Sequence, residues 1–140
     1  MKNKLFRIAA IVTLAFTIVL AGCEQQQIIN RLEGDWEVTS FTEDGVETIN
    51  ADFNSVTIEF EEYDGEEGDF NWVFIGTNGA TVTLTGEYTV NGDGSEVDMA
   101  FQSGSLSGST FEFDLEVDKE ELELQGNVNG FNWIIQADRD

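Results

Sequence analysis

The chain has 140 residues, of which 28 are acidic and 6 are basic, and its formal net charge at pH 7 is −22. A surface this acidic repels phosphate backbones, which argues against nucleic acid as a partner. There is no histidine and only one cysteine, so histidine-activated nucleophiles, the usual zinc and copper sites and a disulfide framework are excluded. Most carboxylates fall at outward strand positions, where they are solvated, so we expect no enzyme activity, no cofactor and no metal.

The first 22 residues have the pattern of a cleaved signal peptide. A basic start precedes an apolar run over residues 8–19, which is shorter than the roughly 20 residues of a spanning helix. Residues 20–23, Leu-Ala-Gly-Cys, follow this run and closely resemble the lipobox of bacterial lipoproteins. The resemblance implies cleavage after residue 22 and lipidation of Cys23. The alternative is an N-terminal anchor that stays uncut.

The charge distribution indicates how the mature protein is attached to a membrane. No acidic residue precedes Cys23, so the mature part carries all 28 acidic residues and three of the basic ones. This charge holds the domain off an anionic membrane surface and leaves acyl chains on Cys23 to make the attachment. In one group of bacteria, lipoproteins with an Asp directly after the lipidated cysteine are retained in the inner membrane. Here Glu24 stands at that position. We therefore expect an outer-membrane lipoprotein, and its periplasmic or surface-facing side stays open.

Residues 23–31 are predicted as the lipidated cysteine and a short polar tether. Two isoleucines in this segment, Ile28 and Ile29, stand close to Leu32. These three residues also suit a helical turn that closes one end of a barrel. The sequence leaves both interpretations open.

From residue 34 onward the apolar residues recur with period two. Phe111, Phe113, Leu115 and Val117, for example, alternate with acidic residues, a pattern typical of an antiparallel sheet with one face in water. Asn-Gly and Asp-Gly dipeptides, which are favoured in tight hairpins, separate such segments. The pattern predicts eight strands, at 34–42, 54–63, 69–77, 80–90, 95–102, 109–117, 120–127 and 130–137.

The connections between these strands predict the fold. All but the first are short, so strands that are neighbours in sequence should pair as hairpins. Eight such strands close into an all-β, antiparallel up-and-down barrel without exposed edges. We assign this barrel to a single domain, residues 32–140. The alternative is an antiparallel β-sandwich, which needs longer crossovers.

Two segments resemble the lipocalin-like lipoproteins of Bacteroidetes-type bacteria, which are small calycin-like barrels. Residues 31–38, Arg-Leu-Glu-Gly-Asp-Trp-Glu-Val, are similar to their Leu-x-Gly-x-Trp opening before the first strand. Residues 86–94, Gly-Glu-Tyr-Thr-Val-Asn-Gly-Asp-Gly, are similar to their Gly-x-Tyr strand and its turn. The resemblance also implies a late arginine that packs over the tryptophan at the closed barrel end. Arg139 over Trp36 is the predicted structural pair, and Arg31 is the competitor.

The inward positions of the predicted strands are rich in aromatic residues. The third strand is ambiguous, because Val73 and Ile75 occupy the parity opposite to its aromatic residues. The candidate barrel-lining residues are Trp36, Val38, Phe60, Trp72, Phe74, Leu84, Tyr88, Met99, Phe101, Phe113, Phe131 and Trp133. Such residues either line a site for one small hydrophobic ligand or fill the barrel as its core.

The acidic segment between the second and third predicted strands is a weak candidate for calcium. Its carboxylates are Glu62, Asp64, Glu66 and Asp69. Calcium binds several carboxylate oxygens on a flexible loop, but this spacing matches no EF-hand. A solvated acidic loop is the favoured interpretation.

Two functional hypotheses follow. In the first, the protein is a membrane-anchored lipoprotein whose lipocalin-like barrel binds a small hydrophobic ligand. In the second, the barrel is solid and acts as a structural or protein-interaction module of the cell envelope. Its acidic surface would then contact an envelope protein partner.

Overall fold

The computed structural model describes residues 23–140, so the predicted signal peptide lies outside the described residues. A helix, α1, covers residues 23–32, and a 3-10 turn covers Gly104–Leu106. The strands are β1 (Gly34–Glu43), β2 (Val46–Glu47), β3 (Phe53–Phe60), β4 (Gly68–Gly76), β5 (Thr81–Val90), β6 (Glu96–Phe101), β7 (Thr110–Val117), β8 (Glu121–Val128) and β9 (Phe131–Arg139). Each of the eight long strands begins within one residue of its predicted start, and only the two-residue β2 is additional.

The long strands form a closed barrel. Each pairs in antiparallel fashion with the next, in the order β1, β3, β4, β5, β6, β7, β8, β9, and β9 pairs back onto β1. Seven residue pairs join β1 to β9. The prediction of an eight-stranded antiparallel barrel is confirmed, and the sandwich alternative is wrong because the β1–β9 pairing leaves the long strands no open edge.

Tight turns of the predicted chemistry join neighbouring strands. In the turn between β8 and β9, Asn129 and Gly130 have φ angles of 52° and 91°. Positive φ at both central positions is the requirement of a two-residue hairpin whose twist matches its strands, and asparagine and glycine tolerate it best. This turn fixes the register of β8 against β9 from Val128 to Glu121.

A bulge in β1 changes which residues point into the barrel. The register of β1 against β9 shifts between Val38 and Ser40. Trp36 and Val38 point inward before the bulge, and Phe41, which is 2% exposed, points inward after it. The extra residue of a bulge reverses the alternation and bends the strand, which helps a sheet to close.

The two ends of the barrel differ. At one end, here called the helix end, α1 packs Ile29 and Leu32 into the core, and the Gln25 side-chain amide donates a 2.8 Å hydrogen bond to the Val90 carbonyl. The helical alternative for residues 23–31 is therefore the one that the structure contains. The opposite end, here called the loop end, is formed by the connections 44–52, 77–80, 102–109 and 129–130.

Candidate functional site

Arg139 and Trp36 seal the helix end. The Arg139 guanidinium carbon lies 4.0 Å from the centroid of the Trp36 ring. Its Nη1 donates a 2.7 Å hydrogen bond to the Glu33 carbonyl, and its Nη2 donates to the Arg31 carbonyl. The structure thus brings together the residues that the sequence paired, and Arg31, the competitor, contributes its backbone carbonyl to the same cluster.

Tyr88 belongs to this sealed end as well. Its ring is fully buried and packs edge-on against Phe60 with a centroid distance of 5.0 Å. Its hydroxyl donates a 2.6 Å hydrogen bond to the Glu61 carbonyl. Burial, and secondarily the charge of Glu33, raise the pKa of Tyr88 well above its usual range. The hydroxyl is therefore neutral and already committed to a backbone acceptor.

A second group of aromatic residues occupies the half of the interior nearer the loop end. We call it the loop-half cluster, and its members are Phe41, Phe53, Trp72, Phe74, Phe101 and Trp133. Phe41 lies 4.9 Å from Trp133 between ring centroids, and Trp72 lies 5.4 Å from Phe74. The two indoles stand 6.0 Å apart at an angle of 87°. Offset and edge-on pairs of this kind contribute about 0.5–1.5 kcal/mol each beyond their burial.

Both tryptophans of the loop-half cluster carry an unpaired donor. Trp72 and Trp133 are 0% and 9% exposed, and neither Nε1 has a hydrogen-bond partner in the described part of the chain. In contrast, the Nε1 of Trp36 donates a 2.8 Å hydrogen bond to the Leu32 carbonyl. Buried indole N–H groups normally find a partner, and an unpaired buried donor costs about 1–3 kcal/mol. The interior near the loop end therefore offers two free donors within an apolar lining.

The loop end carries four exposed large apolar residues, here called the rim. Val46, Ile75, Val82 and Phe131 are the exposed large hydrophobic residues of the described chain, at 68%, 37%, 51% and 51%. All four lie at the loop end, on β2 or where β4, β5 and β9 meet the loop-end connections. Exposed apolar side chains at one end of a barrel, rather than scattered over its whole surface, indicate a contact site.

Most of the predicted lining residues do lie inside the barrel. Those that are buried are Trp36, Val38, Phe60, Trp72, Phe74, Leu84, Tyr88, Met99, Phe101, Phe113 and Trp133. The inward placement of Phe131 was wrong. Phe131 shares the parity of Trp133, but as the first residue of β9 it stands beyond the last covered level of the barrel.

Two buried aromatic residues were missed, and the ambiguous strand is resolved. On β4 the inward residues are Phe70, Trp72 and Phe74, while Val73 and Ile75 point outward. The shared parity of Phe70 with Trp72 and Phe74 was a usable signal. The burial of Phe41 could not be predicted in this way, because the bulge in β1 breaks the alternation that the sequence pattern assumes.

Three surface concavities of the described residues lie outside the barrel. The largest, of about 490 Å³, lies over β7, β8 and β9, and Glu116, Glu123 and Asp138 are among its lining residues. The other two lie over β5–β7 and over β7–β8, and acidic residues contribute to both linings. The loop-half cluster lines none of these three. Its rings contact one another instead, so a molecule entering the interior has to displace side chains.

The acidic candidate for calcium is a structured loop at the helix end. The Asp64 carboxylate accepts hydrogen bonds of 2.9 Å and 3.0 Å from the backbone N–H groups of Glu66 and Glu67, and these bonds lower the pKa of Asp64. Across residues 23–140, no three carboxylate, cysteine or histidine groups gather in a way that could hold a metal ion. The carboxylates of Glu62, Asp64, Glu66 and Asp69 are accordingly not brought together as a site.

Cys23 is exposed at the start of the described α1. Within the described range, no helix combines the length and the apolar character needed to cross a membrane.

Comparisons with known proteins place the chain by its fold. No family model matches the chain, and no curated protein matches its sequence. A lipocalin-like protein from Bacteroides uniformis is 16% identical with a TM-score of 0.51, and the match covers 76% of this chain and 97% of that one. Lobster apocrustacyanin A1 is 17% identical with a TM-score of 0.59, over 88% of this chain and 68% of that one. A redesigned β-barrel, mFAP0, solved bound to DFHBI, is 16% identical with a TM-score of 0.56, over 78% and 99%. These similarities show a lipocalin-like closed barrel.

Proposed function

We propose that this protein is a membrane-anchored lipoprotein whose lipocalin-like barrel binds a small hydrophobic ligand through its loop end. The observation that carries the proposal is the difference between the two ends. Arg139 and α1 seal one end, whereas the other end carries the apolar rim, next to the half of the interior that the loop-half cluster occupies. A rim and interior of this composition favour an apolar molecule over a charged one.

The interior must rearrange to admit the ligand. Phe53 and Phe111 are only partly buried and pack against the core at the loop end. Rotation of these two side chains is the simplest way to make room, since neither is enclosed by the barrel wall on every side. A barrel of eight strands holds one small ligand when its side chains leave space. The redesigned barrel of similar fold, solved with DFHBI bound, is an example.

A neutral apolar fluorophore, N-phenyl-1-naphthylamine, tests the binding function. We expect saturable uptake by the chain from Cys23 onward, which contains the complete barrel and its closing helix. Val82 is exposed at the rim, and its side chain lies on the inward face of β5, so Val82→Trp should obstruct the loop end. We expect uptake to weaken by about tenfold or more, which corresponds to about 1.4 kcal/mol of binding free energy. Thr83→Trp, on the outward side of the same strand, is the matched control and should leave uptake unchanged. No uptake by the folded wild-type protein would refute the binding function.

Gly86 is not a suitable position for an obstructing residue, although it also faces the interior. A Cβ at this position would collide with the Ala100 carbonyl oxygen and meet Phe70 Cε1 at 2.9 Å. A large side chain there would disrupt the β5–β6 pairing, so loss of binding would not report on the cavity.

The anchoring part of the proposal rests on Cys23 and the lipobox resemblance of residues 20–23. An acylated Cys23 at the start of α1 would attach the helix end to the membrane and leave the loop end facing the aqueous phase. With Glu24 after the cysteine, we propose the outer membrane as the location. Mass spectrometry of the protein from bacterial membranes should find an acylated N-terminus at Cys23. A Cys23→Ser variant should lose both the acyl mass and the membrane association, and an uncut wild-type chain would contradict the proposal.

A second candidate function is favoured by the filled interior. The rings of the loop-half cluster contact one another at centroid distances from 4.9 Å upward, which suits a solid barrel that acts through its acidic outer face. Such a module would bind an envelope protein rather than a small molecule. Crosslinking in intact cells, repeated with Val82→Trp, separates the two functions. A partner bound by the acidic outer face should be crosslinked equally well to this variant, because the substitution changes only the rim.

A further inference from the structure

We infer that the ligand is a neutral apolar molecule carrying a hydrogen-bond acceptor, such as a carbonyl oxygen, that is bound by the indole N–H groups of Trp72 and Trp133. This inference rests on the proposed function, because it specifies the chemistry of the molecule that the barrel takes up.

The two indoles come from strands that β3 and β1 separate, but their rings lie side by side inside the barrel. Trp72 lies on β4 and Trp133 on β9, and their ring centroids are 6.0 Å apart. Neither Nε1 has a partner in the described chain. A carbonyl oxygen has two lone pairs, so one acceptor can serve two donors. A ligand of this kind would satisfy both groups in a single step.

No group of the described chain accepts a hydrogen bond from either indole nitrogen. The rings in contact with them are Phe41, Phe74 and Phe101. A pure hydrocarbon placed among these residues would leave both donors unpaired, whereas an acceptor-bearing molecule of the same shape would pair them. The interior therefore discriminates between the two, in favour of the molecule with the acceptor.

The distribution of charge disfavours an anionic acceptor. The three basic residues of the mature part all lie at the helix end: Arg31 in α1, Lys119 in the β7–β8 turn and Arg139 over Trp36. A carboxylate near the indoles would be buried without a counter-charge, which is strongly unfavourable.

Acidic residues beside the rim reinforce this selection. The 44–52 connection at the loop end carries three acidic residues, Asp44, Glu47 and Asp52, and no basic residue. An anion approaching the loop end is repelled by these charges. The ligand class is accordingly a neutral ketone, quinone, ester or amide with an apolar body, and free fatty acids are disfavoured.

Three compounds with one ring skeleton test the inference: fluorene, 9-fluorenone and 9-fluorenone-2-carboxylate. Their affinities for the chain from Cys23 onward are measured by displacement of N-phenyl-1-naphthylamine. Fluorenone should bind about tenfold more tightly than fluorene, because it adds one acceptor shared by two donors. The carboxylate should bind more weakly than fluorenone. In the Trp72→Phe, Trp133→Phe double variant the preference for fluorenone over fluorene should disappear, and in Trp36→Phe it should persist.

A second readout needs no substitution. The chain has three tryptophans, so a 15N-labelled sample gives three indole N–H signals. Fluorenone should shift the Trp72 and Trp133 signals downfield and leave that of Trp36 in place, and fluorene should not produce the downfield shift. Equal affinity for fluorene and fluorenone without selective indole shifts would overturn the inference while the binding function stands. If neither fluorene nor fluorenone binds to the folded protein, both the inference and the proposed binding function are overturned.

Discussion

Arg139 and Trp36 link the last strand of the barrel to its first, with the guanidinium carbon 4.0 Å from the indole centroid. The same two side chains complete the C-terminal end of α1. Arg139 donates to the Arg31 carbonyl, and Trp36 Nε1 donates to the Leu32 carbonyl at 2.8 Å. Carbonyls in the last turn of a helix have no partner within the helix. One cation and one indole therefore close the helix end and anchor α1 to the barrel.

We expect Arg139→Ala to lower the free energy of unfolding by about 2–4 kcal/mol, because it removes the cation–π contact and several hydrogen bonds to backbone carbonyls. Arg139→Lys should fall between the wild type and Arg139→Ala, since an ammonium lacks the planar fork of the guanidinium. Urea denaturation followed by tryptophan fluorescence measures both. A loss below about 0.5 kcal/mol for Arg139→Ala, typical of an ordinary surface site, would show that the cluster does not stabilise the fold.

The three tryptophans should respond differently to replacement by phenylalanine. Trp36→Phe removes a hydrogen bond and leaves the Leu32 carbonyl without its donor, whereas Trp72→Phe and Trp133→Phe each remove a donor that has no partner. We expect Trp36→Phe to cost about 1–3 kcal/mol more than either of the others. Equal losses in ligand-free protein, measured by urea denaturation, would mean that the indoles of Trp72 and Trp133 are hydrogen-bonded in solution.

Phe41 and Phe131 provide a matched test of burial within the loop end. Phe41 is 2% exposed within the loop-half cluster, and Phe131 is 51% exposed on the rim. Phe41→Ala should therefore cost about 3–5 kcal/mol, and Phe131→Ala should cost only about 1 kcal/mol, because half of its side chain is already in water. Thermal and urea unfolding of the two variants check this. A severe loss from Phe131→Ala would indicate that the β9 end is covered in solution.

The Glu47 carboxylate should make the loop end sensitive to acid. Burial raises the pKa of Glu47, but hydrogen bonds from Ser40 and from the backbone N–H groups of Phe41 and Ile49 outweigh it and lower the pKa overall. A folded-state pKa below the unfolded one means that the stabilisation is complete above the unfolded value and is lost as pH falls through the folded value.

The amide hydrogens of Phe41 and Ile49 report this loss. Their exchange protection, corrected for the intrinsic rate, should fall in the wild type as the pH drops below the ordinary glutamate pKa and through the lowered folded-state pKa. In Glu47→Gln it should be lower at neutral pH and nearly independent of acid. The same acid dependence in both proteins would assign the effect to another group.

Like charges face each other across β6 and β7. Glu96 is paired with Asp114, and Asp98 with Glu112. The pKa of Glu96 is raised, and the negative charge of Glu112 is the largest cause. A raised carboxyl pKa in the folded state means that stability falls as pH rises through that value. Glu112→Lys should therefore raise the melting temperature by a few degrees at low salt, and the gain should shrink in 0.5 M salt as screening removes the repulsion. A salt-independent gain would point to packing instead.

The sequence predicts the fold because alternation and turn chemistry agree along the whole barrel. The Asn-Gly and Asp-Gly turns set the strand ends, and the inward parity of residues such as Trp72, Leu84 and Phe113 identifies the core. Alternation fails at the bulge in β1, where one extra residue turns Phe41 inward. It also fails at Phe131, because parity gives the side of the strand but not the height at which the barrel wall ends.

The candidate site was predicted only as an aromatic interior. Trp72 and Trp133 were identified as lining residues, but nothing in their sequence context distinguishes an indole with a partner from one without. That difference depends on which backbone carbonyls the folded chain brings near each nitrogen, as with Leu32 and Trp36. The apolar rim was likewise hidden, because Val46, Phe131 and the hairpin that carries Ile75 and Val82 are far apart in sequence and come to one end of the molecule only when the strands form the barrel.

A crystal structure of the protein with 9-fluorenone bound tests the central claim most directly. We predict the compound inside the loop half of the barrel, with Phe53 and Phe111 rotated away and the carbonyl oxygen at hydrogen-bond distance from Trp72 and Trp133. Fluorenone found only on the acidic outer face, with the loop-half cluster unchanged at saturating concentration, would contradict the claim. The barrel would then be solid, and its function would lie on the outer surface.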